Sequence, residues 1–371
     1  MINVFHIVSN KIWSGPEQYA YDLALRLRND DNYYVEVVCK KAESVFNKFR
    51  SLEIPVSILP LKGLTDLDSP VRFARLLKRG QNIIHVHTFH DAFAAIWAKH
   101  IAENPNTRIV LTLHGVNRPR INYLSKKVYR DLDRIIFVSQ RSYDEFVPRI
   151  TRLDRKKCVI VRDSVLPARS EKLARAPRLR QELGIGSDQV LIMYHGRLSH
   201  DKGLDVLLRA ITQLDRNKFH LVILGEGNRK YVAQQKAFIV ANQLVQNVDF
   251  LGFSDNVQAF ITQCDFGVLP SVVPEALGLS NLEYMMHGKA HIATNNGAQL
   301  EYLENGKNAL LVDPDNPYEL AQAIEQLIDD AVLRSRIGMQ AQHDFNDHLN
   351  YDTFYQHMTA LYTSLFKAHG A

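Results

Sequence analysis

Apolar runs rich in valine and isoleucine alternate with amphipathic stretches along this 371-residue chain, and the rhythm starts twice. In the first half the runs are INVFHIV (2–8), YYVEVVC (33–39), PVSIL (55–59), NIIHVHT (82–88), RIVLTLH (108–114), RIIFVS (134–139) and CVIV (158–161). Helical patterns such as EQYAYDLALRLRN (17–29) and HDAFAAIWAKHIAEN (90–104) lie between them. The second series opens at VLIMYHG (190–196) and continues through FHLVILG (219–225), VDFLG (248–252), DFGVLP (265–270), KAHIAT (289–294) and NALLV (308–312). Its helices are expected at 203–213, 228–243, 280–287, 317–329 and 331–345. A strand covered on both faces reads as a continuous apolar run, and parallel neighbours need a long crossover between them. The pattern therefore predicts an α/β chain of two Rossmann-like, doubly wound parallel-sheet domains, 1–165 and 166–350. They should face each other across a cleft, with ligands at the carboxyl ends of the strands. LPARSEKLARAPRLR (166–180) breaks the rhythm with prolines and charge and reads as a linker. The last stretch, 351–371, is largely helical, follows the completed second sheet, and is expected to cross back to the first domain.

Length agrees, because single cores stop growing well below this size. With 46% hydrophobic and 23% charged residues the chain is ordinarily globular. No apolar run approaches the roughly 20 residues of a membrane span. The start, MINVFHIVSN, lacks the basic region and cleavage site of an export signal. Cys39, Cys158 and Cys264 have no CxxC spacing and read as reduced core residues of a cytoplasmic protein. Net charge is divided: residues 1–170 carry 28 Lys and Arg against 17 Asp and Glu, the remainder 17 against 23. A basic first half suits nucleic acid, anionic lipid or phosphorylated substrates, and charge alone does not choose among them.

Two segments carry the chemistry. In PEALGLSNLE (274–283), Ser280-Asn281 are good N-caps, so a helix is expected to start there and run to Gly288. Glu275 then lies on the entering loop and Glu283 one turn inside the helix. The N–H groups of 278–281 point at any anion at the helix start. Two acids flanking an anion site suit a ligand with both phosphate and hydroxyl groups. In YHGRLSHDKGLDVLLRA (194–210) a strand ends at Gly196, Arg197 and Lys202 follow on a loop, and Gly203 opens an amphipathic helix. An Arg fork, a Lys point charge and a helix N-terminus together favour a phosphate site over a plain solvated loop.

GRLSHDKG followed by LVILGEGN, VDFLGFSDNV, VLPS, E-x7-E and HGKAHIAT, in this order, resembles the retaining family 4 glycosyltransferases of bacterial cell-envelope synthesis. The similarity continues in the first half through SGPEQYAYDLALRL, IIHVH, LTLHG and FVSQ. The resemblance implies the two-domain GT-B fold and transfer of a hexose-type sugar from a UDP- or GDP-type donor to a saccharide or lipid-linked acceptor. It implies that Arg197 and Lys202 hold the donor diphosphate, with Gly278, Leu279 and Ser280 binding phosphate through their backbone. Glu275 would contact the transferred sugar and Glu283 the ribose, one acid for each sugar of the donor. Gly196 and Gly225 would lie along the donor, and the backbone at Gly252-Phe253 would read the base. His114 would reach the donor sugar and reacting centre, and Gly15, on the first strand-to-helix loop, would let the chain approach closely. Arg197 and Lys202 would stabilise the leaving phosphate. No Asp-x-Asp accompanies them at a strand end, so no metal and no other cofactor is expected. Retention would follow from same-face departure and attack, the leaving phosphate accepting the acceptor's proton. The chain departs from the family at SGPEQ, where Pro16 is expected to narrow the first turn, and at VRDSVLP (161–167), which replaces a frequent Asn-Gly turn.

Other clusters are less specific. HVHTFH (85–90) sets His85 and His87 on one strand face, without a carboxylate or cysteine at ligand spacing, and reads as a strand end lining the cleft. GEGNRK (225–230) lacks the third glycine of a dinucleotide fingerprint. RPRINYLSKKVYR (118–130) interleaves Arg118, Arg120, Lys126, Lys127 and Arg130 with apolar and aromatic residues. Two readings of it stand level: a surface for anionic membrane or a lipid-phosphate acceptor, and an ordinary surface helix. No nucleic-acid-binding signature accompanies the charge. Alternatives to a transferase are a nucleotide-sugar epimerase of the same architecture, a catalytically silent binding subunit, and a two-lobed solute-binding protein, which would need an export signal.

Overall fold

The computed structural model describes residues 1–63, 65–77, 79–115, 122–151, 153–174 and 178–367. Seven parallel strands form the first sheet: β1 (Ile2–Val8), β2 (Tyr33–Cys39), β3 (Val56–Ile58), β4 (Asn82–Val86), β5 (Thr107–Leu113), β6 (Arg134–Phe137) and β7 (Cys158–Ile160). Their order is β3-β2-β1-β4-β5-β6-β7. Six parallel strands form the second: β8 (Val190–His195), β9 (Phe219–Leu224), β10 (Val248–Gly252), β11 (Phe266–Leu269), β12 (Ala290–Thr294) and β13 (Leu310–Val312). Their order is β10-β9-β8-β11-β12-β13. Every apolar run of the sequence became a strand. β3, β7 and β13, at three residues each the shortest, lie at sheet edges.

The chain divides into two compact units, Met1–Asp163 with the segment from Asp352 onward, and Ser164–Tyr351. Within each, the sheet is buried on both faces. All seven residues of β1 and all six of β9 are buried, which explains their unbroken apolar runs. Phe5, Ile84, Leu111 and Phe137 centre one core, and Ile192, Leu207, Leu221 and Ile324 the other. Each such side chain contributes about 1.5–3 kcal/mol by leaving water. Cys39 and Cys264 are buried free thiols, pushed up by burial to about 11 and about 12, whereas Cys158, also expected in the core, is only partly buried. The linker stretch is tied to the second unit, Gln258 accepting from Ala168 N at 2.6 Å and donating to Leu166 O at 2.8 Å.

Strand order reverses beside β1 in the first sheet and beside β8 in the second. At such a switch point the connections leave in opposite directions and open a crevice at the carboxyl ends of the two central strands. In the second unit those ends belong to β8 and β11, where the Arg/Lys loop and the first glutamate follow. In the first they belong to β1 and β4, beside which lie His6, His85 and His87.

Candidate active site

β8 ends at His195, and the chain passes Gly196 and Arg197 into a short turn, His200–Lys202, before the helix Leu204–Ile211. Gly203 joins turn to helix with φ 70°, and a Cβ there would lie 1.8 Å from the Pro270 carbonyl oxygen. Only glycine fits, and its absence of side chain lets this loop close on the segment after β11. Lys202 Nζ then reaches Glu275 Oε1 at 2.6 Å, and the Ser271 hydroxyl donates to the same oxygen. Arg197, largely exposed, pairs with Asp201 at 2.7 Å.

The helix carrying the second glutamate is Leu279–Met286, with Gly278 (φ 83°) at its N-cap, so it starts earlier than Ser280-Asn281. Those two residues therefore lie inside the first turn, and their side chains do not cap it. Ser280 Oγ donates to the His195 carbonyl at 3.3 Å, and Asn281 Nδ2 to Gln299 Oε1 at 2.8 Å. Glu283 Oε2 meets His195 Nε2 at 2.7 Å, while Tyr284 Oη lies 2.8 Å from His195 Nδ1. The E-x7-E segment is thus clasped to the Arg/Lys loop at two points. Glu275 is held by Lys202, Glu283 by His195.

Gly196 N donates to Leu224 O at 3.1 Å and Gly225 N to Gly252 O at 2.8 Å, so the three glycines run along one sheet edge. Phe253 follows, 53% exposed. Sequence reading passed over His195, Ser271, Asp201 and Tyr284. The signal for His195 was its place directly before Gly196, on a strand whose side-chain alternation alone does not show which group it meets. An Asp-x-Asp does follow a strand in this unit, Asp313 and Asp315 after the edge strand β13, and Asp315 is paired with Arg209 at 2.7 Å.

In the first unit, Gly15 does not lie on a loop. It is the first residue of the helix Gly15–Leu27, with Ser14 at the N-cap. Pro16 therefore opens a helix instead of narrowing a turn, in a position where its missing N–H leaves no bond unmade. Arg118 and Arg120 lie outside the described residues. Lys126, Lys127 and Arg130 are exposed on the helix Tyr123–Asp131.

His114 directly follows β5 and joins a chain of imidazoles. Its Nε2 lies 3.1 Å from His87 Nδ1, and His87 Nε2 lies 3.2 Å from His6 Nδ1. His6 arrives because β1 pairs with β4 in the register His6↔His85, which one strand's sequence cannot show. The ligand atoms of His6, His85 and His87 fall within 4.8 Å of one another, a spacing open to a metal ion. Yet His6 and His87 are nearly coplanar (13°) with centroids 5.4 Å apart, so their nitrogens face each other along a line. Ligands to one ion would converge on a point at about 2.0–2.1 Å from each nitrogen. Both nitrogens of His85 are also engaged, by Tyr362 Oη at 2.6 Å and Thr112 Oγ1 at 2.7 Å. The cluster is built as a hydrogen-bonded chain.

Two α/β units with parallel sheets, one bearing paired cations and carboxylates at its switch point, define the GT-B class of fold. The model "Glycosyltransferase Family 4" matches residues 13–165, and "Glycosyl transferases group 1" matches 176–344. The chain belongs to these group 1, family 4 glycosyltransferases. It is 25% identical over 302 residues to an uncharacterized glycosyltransferase of Methanocaldococcus jannaschii, covering 76% of this chain and 75% of that one. It is 29% identical over 214 residues to the lipopolysaccharide 1,2-N-acetylglucosaminetransferase of Salmonella typhimurium, covering 55% and 53%. Among solved structures, Anabaena HepE with UDP superposes with TM-score 0.82 at 22% identity over 98% of this chain and 100% of that one. A Rickettsia africae glycosyltransferase gives 0.85 at 19% identity over 99% of both.

Burial holds His6 and His114 down to about 3, and burial together with neighbouring histidines holds His85 and His87 well below the usual range. All four are neutral when folded, whereas the unfolded chain takes up protons near pH 6.5. The unfolded state therefore binds more protons below that pH, and stability falls as pH falls from about 6.5 toward about 3, by about 1.4 kcal/mol per pH unit for each such histidine. Both tryptophans, Trp13 and Trp97, lie in this unit, so their fluorescence reports it. The urea midpoint should drop steeply between pH 6.5 and 4.5, and His87→Gln should flatten the slope; a level wild-type profile would show that the rings are charged or hydrated.

Proposed function

We propose that this protein transfers a hexose from a UDP- or GDP-type nucleotide sugar to a saccharide or lipid-linked saccharide, with retention and without a metal, in assembly of cell-surface polysaccharide. The observation that carries it is the double clasp of Lys202 on Glu275 and His195 on Glu283. It fixes Lys202, a helix start and two carboxylates at one end of the sheet, with Arg197 on the same loop, an arrangement suited to a diphosphate between two sugars. The lipopolysaccharide-building relative in Salmonella and the UDP-glucose complex of HepE support this reading.

In it, Arg197 and Lys202 take the diphosphate and stabilise charge on the departing oxygen, the service a divalent ion gives elsewhere. The N–H groups of Gly278, Leu279 and Ser280 add the positive end of a helix. Glu275 faces the sugar, where positive charge grows in the transition state, and Glu283 the ribose, which does not change. Gly196, Gly225 and Gly252-Phe253 line the remainder of the nucleotide, and Gly15 admits the substrate to the first unit. His114 has the family role of contact with the reacting sugar, and its neutral ring suits a hydrogen bond there.

The acceptor side we assign to an anionic membrane surface. Leu124, Lys126, Lys127 and Arg130 are exposed, as are Trp97 and Ile101 of the helix Phe89–Ala102, and Lys127 and Arg130 share a cavity with Lys99, His100 and Asp131. Aromatic and aliphatic groups beside cations fit the boundary between headgroups and acyl chains. Among the described residues no helix is long and apolar enough to cross a membrane.

Arg197→Ala or Lys202→Ala, assayed in EDTA, should lower turnover at least about 10²-fold from a wild type that EDTA leaves active. Near-normal turnover in both variants, or wild-type activity that returns only with Mg²⁺ or Mn²⁺, would sink this mechanism. The two glutamates should separate: Glu283→Gln mainly weakens donor binding, Glu275→Gln mainly lowers kcat. Parallel losses in both constants for both variants would refute the division. Replacing Lys126, Lys127 and Arg130 by glutamine should weaken binding to anionic vesicles at about 50 mM salt, where screening is weak, each cation contributing about 1 kcal/mol. Wild-type protein that ignores such vesicles would leave the cations to a soluble acceptor.

A further inference from the structure

A neutral histidine has one ring proton, and the contacts around His195 call for two. Tyr284 Oη lies 2.8 Å from the Met193 carbonyl oxygen and 2.8 Å from His195 Nδ1. A carbonyl has no hydrogen to give, so the hydroxyl proton points to Met193, and Nδ1 must donate to the phenol oxygen. At the far side of the ring, Nε2 stands 2.7 Å from Glu283 Oε2. A bare nitrogen and a carboxylate repel at that separation, so a second proton lies between them, and imidazole, the stronger base of the two, is the group to hold it. Burial keeps the Tyr284 hydroxyl un-ionised. Its ring cannot move away, because it packs on Gly267 of β11, where a Cβ would fall 2.2 Å from the ring.

The neighbouring groups offer no substitute. His287, at the end of the same helix, is held below the usual histidine range by burial, against the pull of Glu283. Lys289 gives its ammonium to the carbonyls of Thr262 and Cys264. Burial holds the His291 ring, stacked 6.1 Å from Tyr284, down to about 4, and the Cys264 thiol stays protonated. Among the described residues, His195 is the side chain that hydrogen-bonds Glu283.

We propose that His195 is a positioning residue of the donor site: it stands as an imidazolium between Tyr284 and Glu283, keeps that carboxylate charged, and turns its second oxygen to the nucleotide ribose. The proposal rests on the reading of Glu283 as the ribose ligand. With Oε2 given to His195, Oε1 keeps its lone pairs for a ribose hydroxyl. The imidazolium takes no part in bond making; it removes the freedom of a glutamate that would otherwise swing between rotamers.

Long-range ¹⁵N–¹H correlation on ¹⁵N-histidine protein at pH 7, with His195→Gln for assignment, reads the ring directly. Both His195 nitrogens should be protonated, and Glu283→Gln should return the ring to one proton. Calorimetry with UDP as probe reads the consequence. His195→Val and Glu283→Gln should each weaken UDP about tenfold, the double variant little further, and His195→Gln, which keeps an N–H for Glu283, should restore most of the loss. A singly protonated ring in the wild type overturns the proposal. So does His195→Val that binds UDP normally while Glu283→Gln does not. If neither variant weakens UDP although the ring is doubly protonated, the fault lies in the ribose assignment, and the positioning role falls with it.

Discussion

The ion pair between Lys202 and Glu275 is the contact on which the arrangement of the second unit's edge turns. Both side chains are mostly withdrawn from water, 24% and 11% exposed, and removing one leaves the other as an uncompensated charge. Its geometry depends in turn on Gly203, whose missing side chain lets the loop after β8 rest on the Pro270 carbonyl. His195 adds a second link, from the last residue of β8 to Glu283. Loop and helix are therefore fixed before any ligand arrives, and preorganisation of this kind is what makes charge effective on a leaving phosphate. Any anion that enters must share Lys202 with Glu275 and Arg197 with Asp201. Each cation already has a carboxylate partner.

The first unit solves a different problem at the same place in its sheet. Four histidines and two tyrosines fill the space beside β1, β4 and β5 where another chain would have leucines. Tyr19 lies edge-on to His85, His87 and His114, and Tyr362, from the C-terminal helix Tyr351–Ser364, caps His85. Each buried nitrogen without a partner costs roughly 1–3 kcal/mol, and the rings satisfy one another in sequence until His6 Nε2, which has none. A chain of neutral imidazoles is a polar core that holds only while every ring keeps its single proton. That makes the segment from Asp352 onward part of the first unit's chemistry as well as its packing.

Much of this was legible in advance because parallel sheets write themselves into sequence. Thirteen apolar runs mark thirteen strands, and the helix at Pro317–Asp329 falls where its pattern placed it. The Arg/Lys loop and the two glutamates were visible from residue type and spacing, and the family resemblance joined them. The helix start at Leu279 was less legible: Ser280 and Asn281 are good caps by type, but Gly278, in the left-handed region, takes the cap position and leaves both inside the first turn.

By itself, then, the sequence determined the two α/β sheets, the order of their strands along the chain, and which loops carry charge, because these follow from local periodicity and composition. It also placed the chain among the group 1 glycosyltransferases. Only the tertiary structure decided which charges meet. Lys202 finds Glu275 and His195 finds Glu283 across gaps of 73 and 88 residues, and His6 joins His85 and His87 through the register of two strands. Strand pairing and the closing of a glycine-lined loop set those encounters, and neither leaves a trace in the residues that meet.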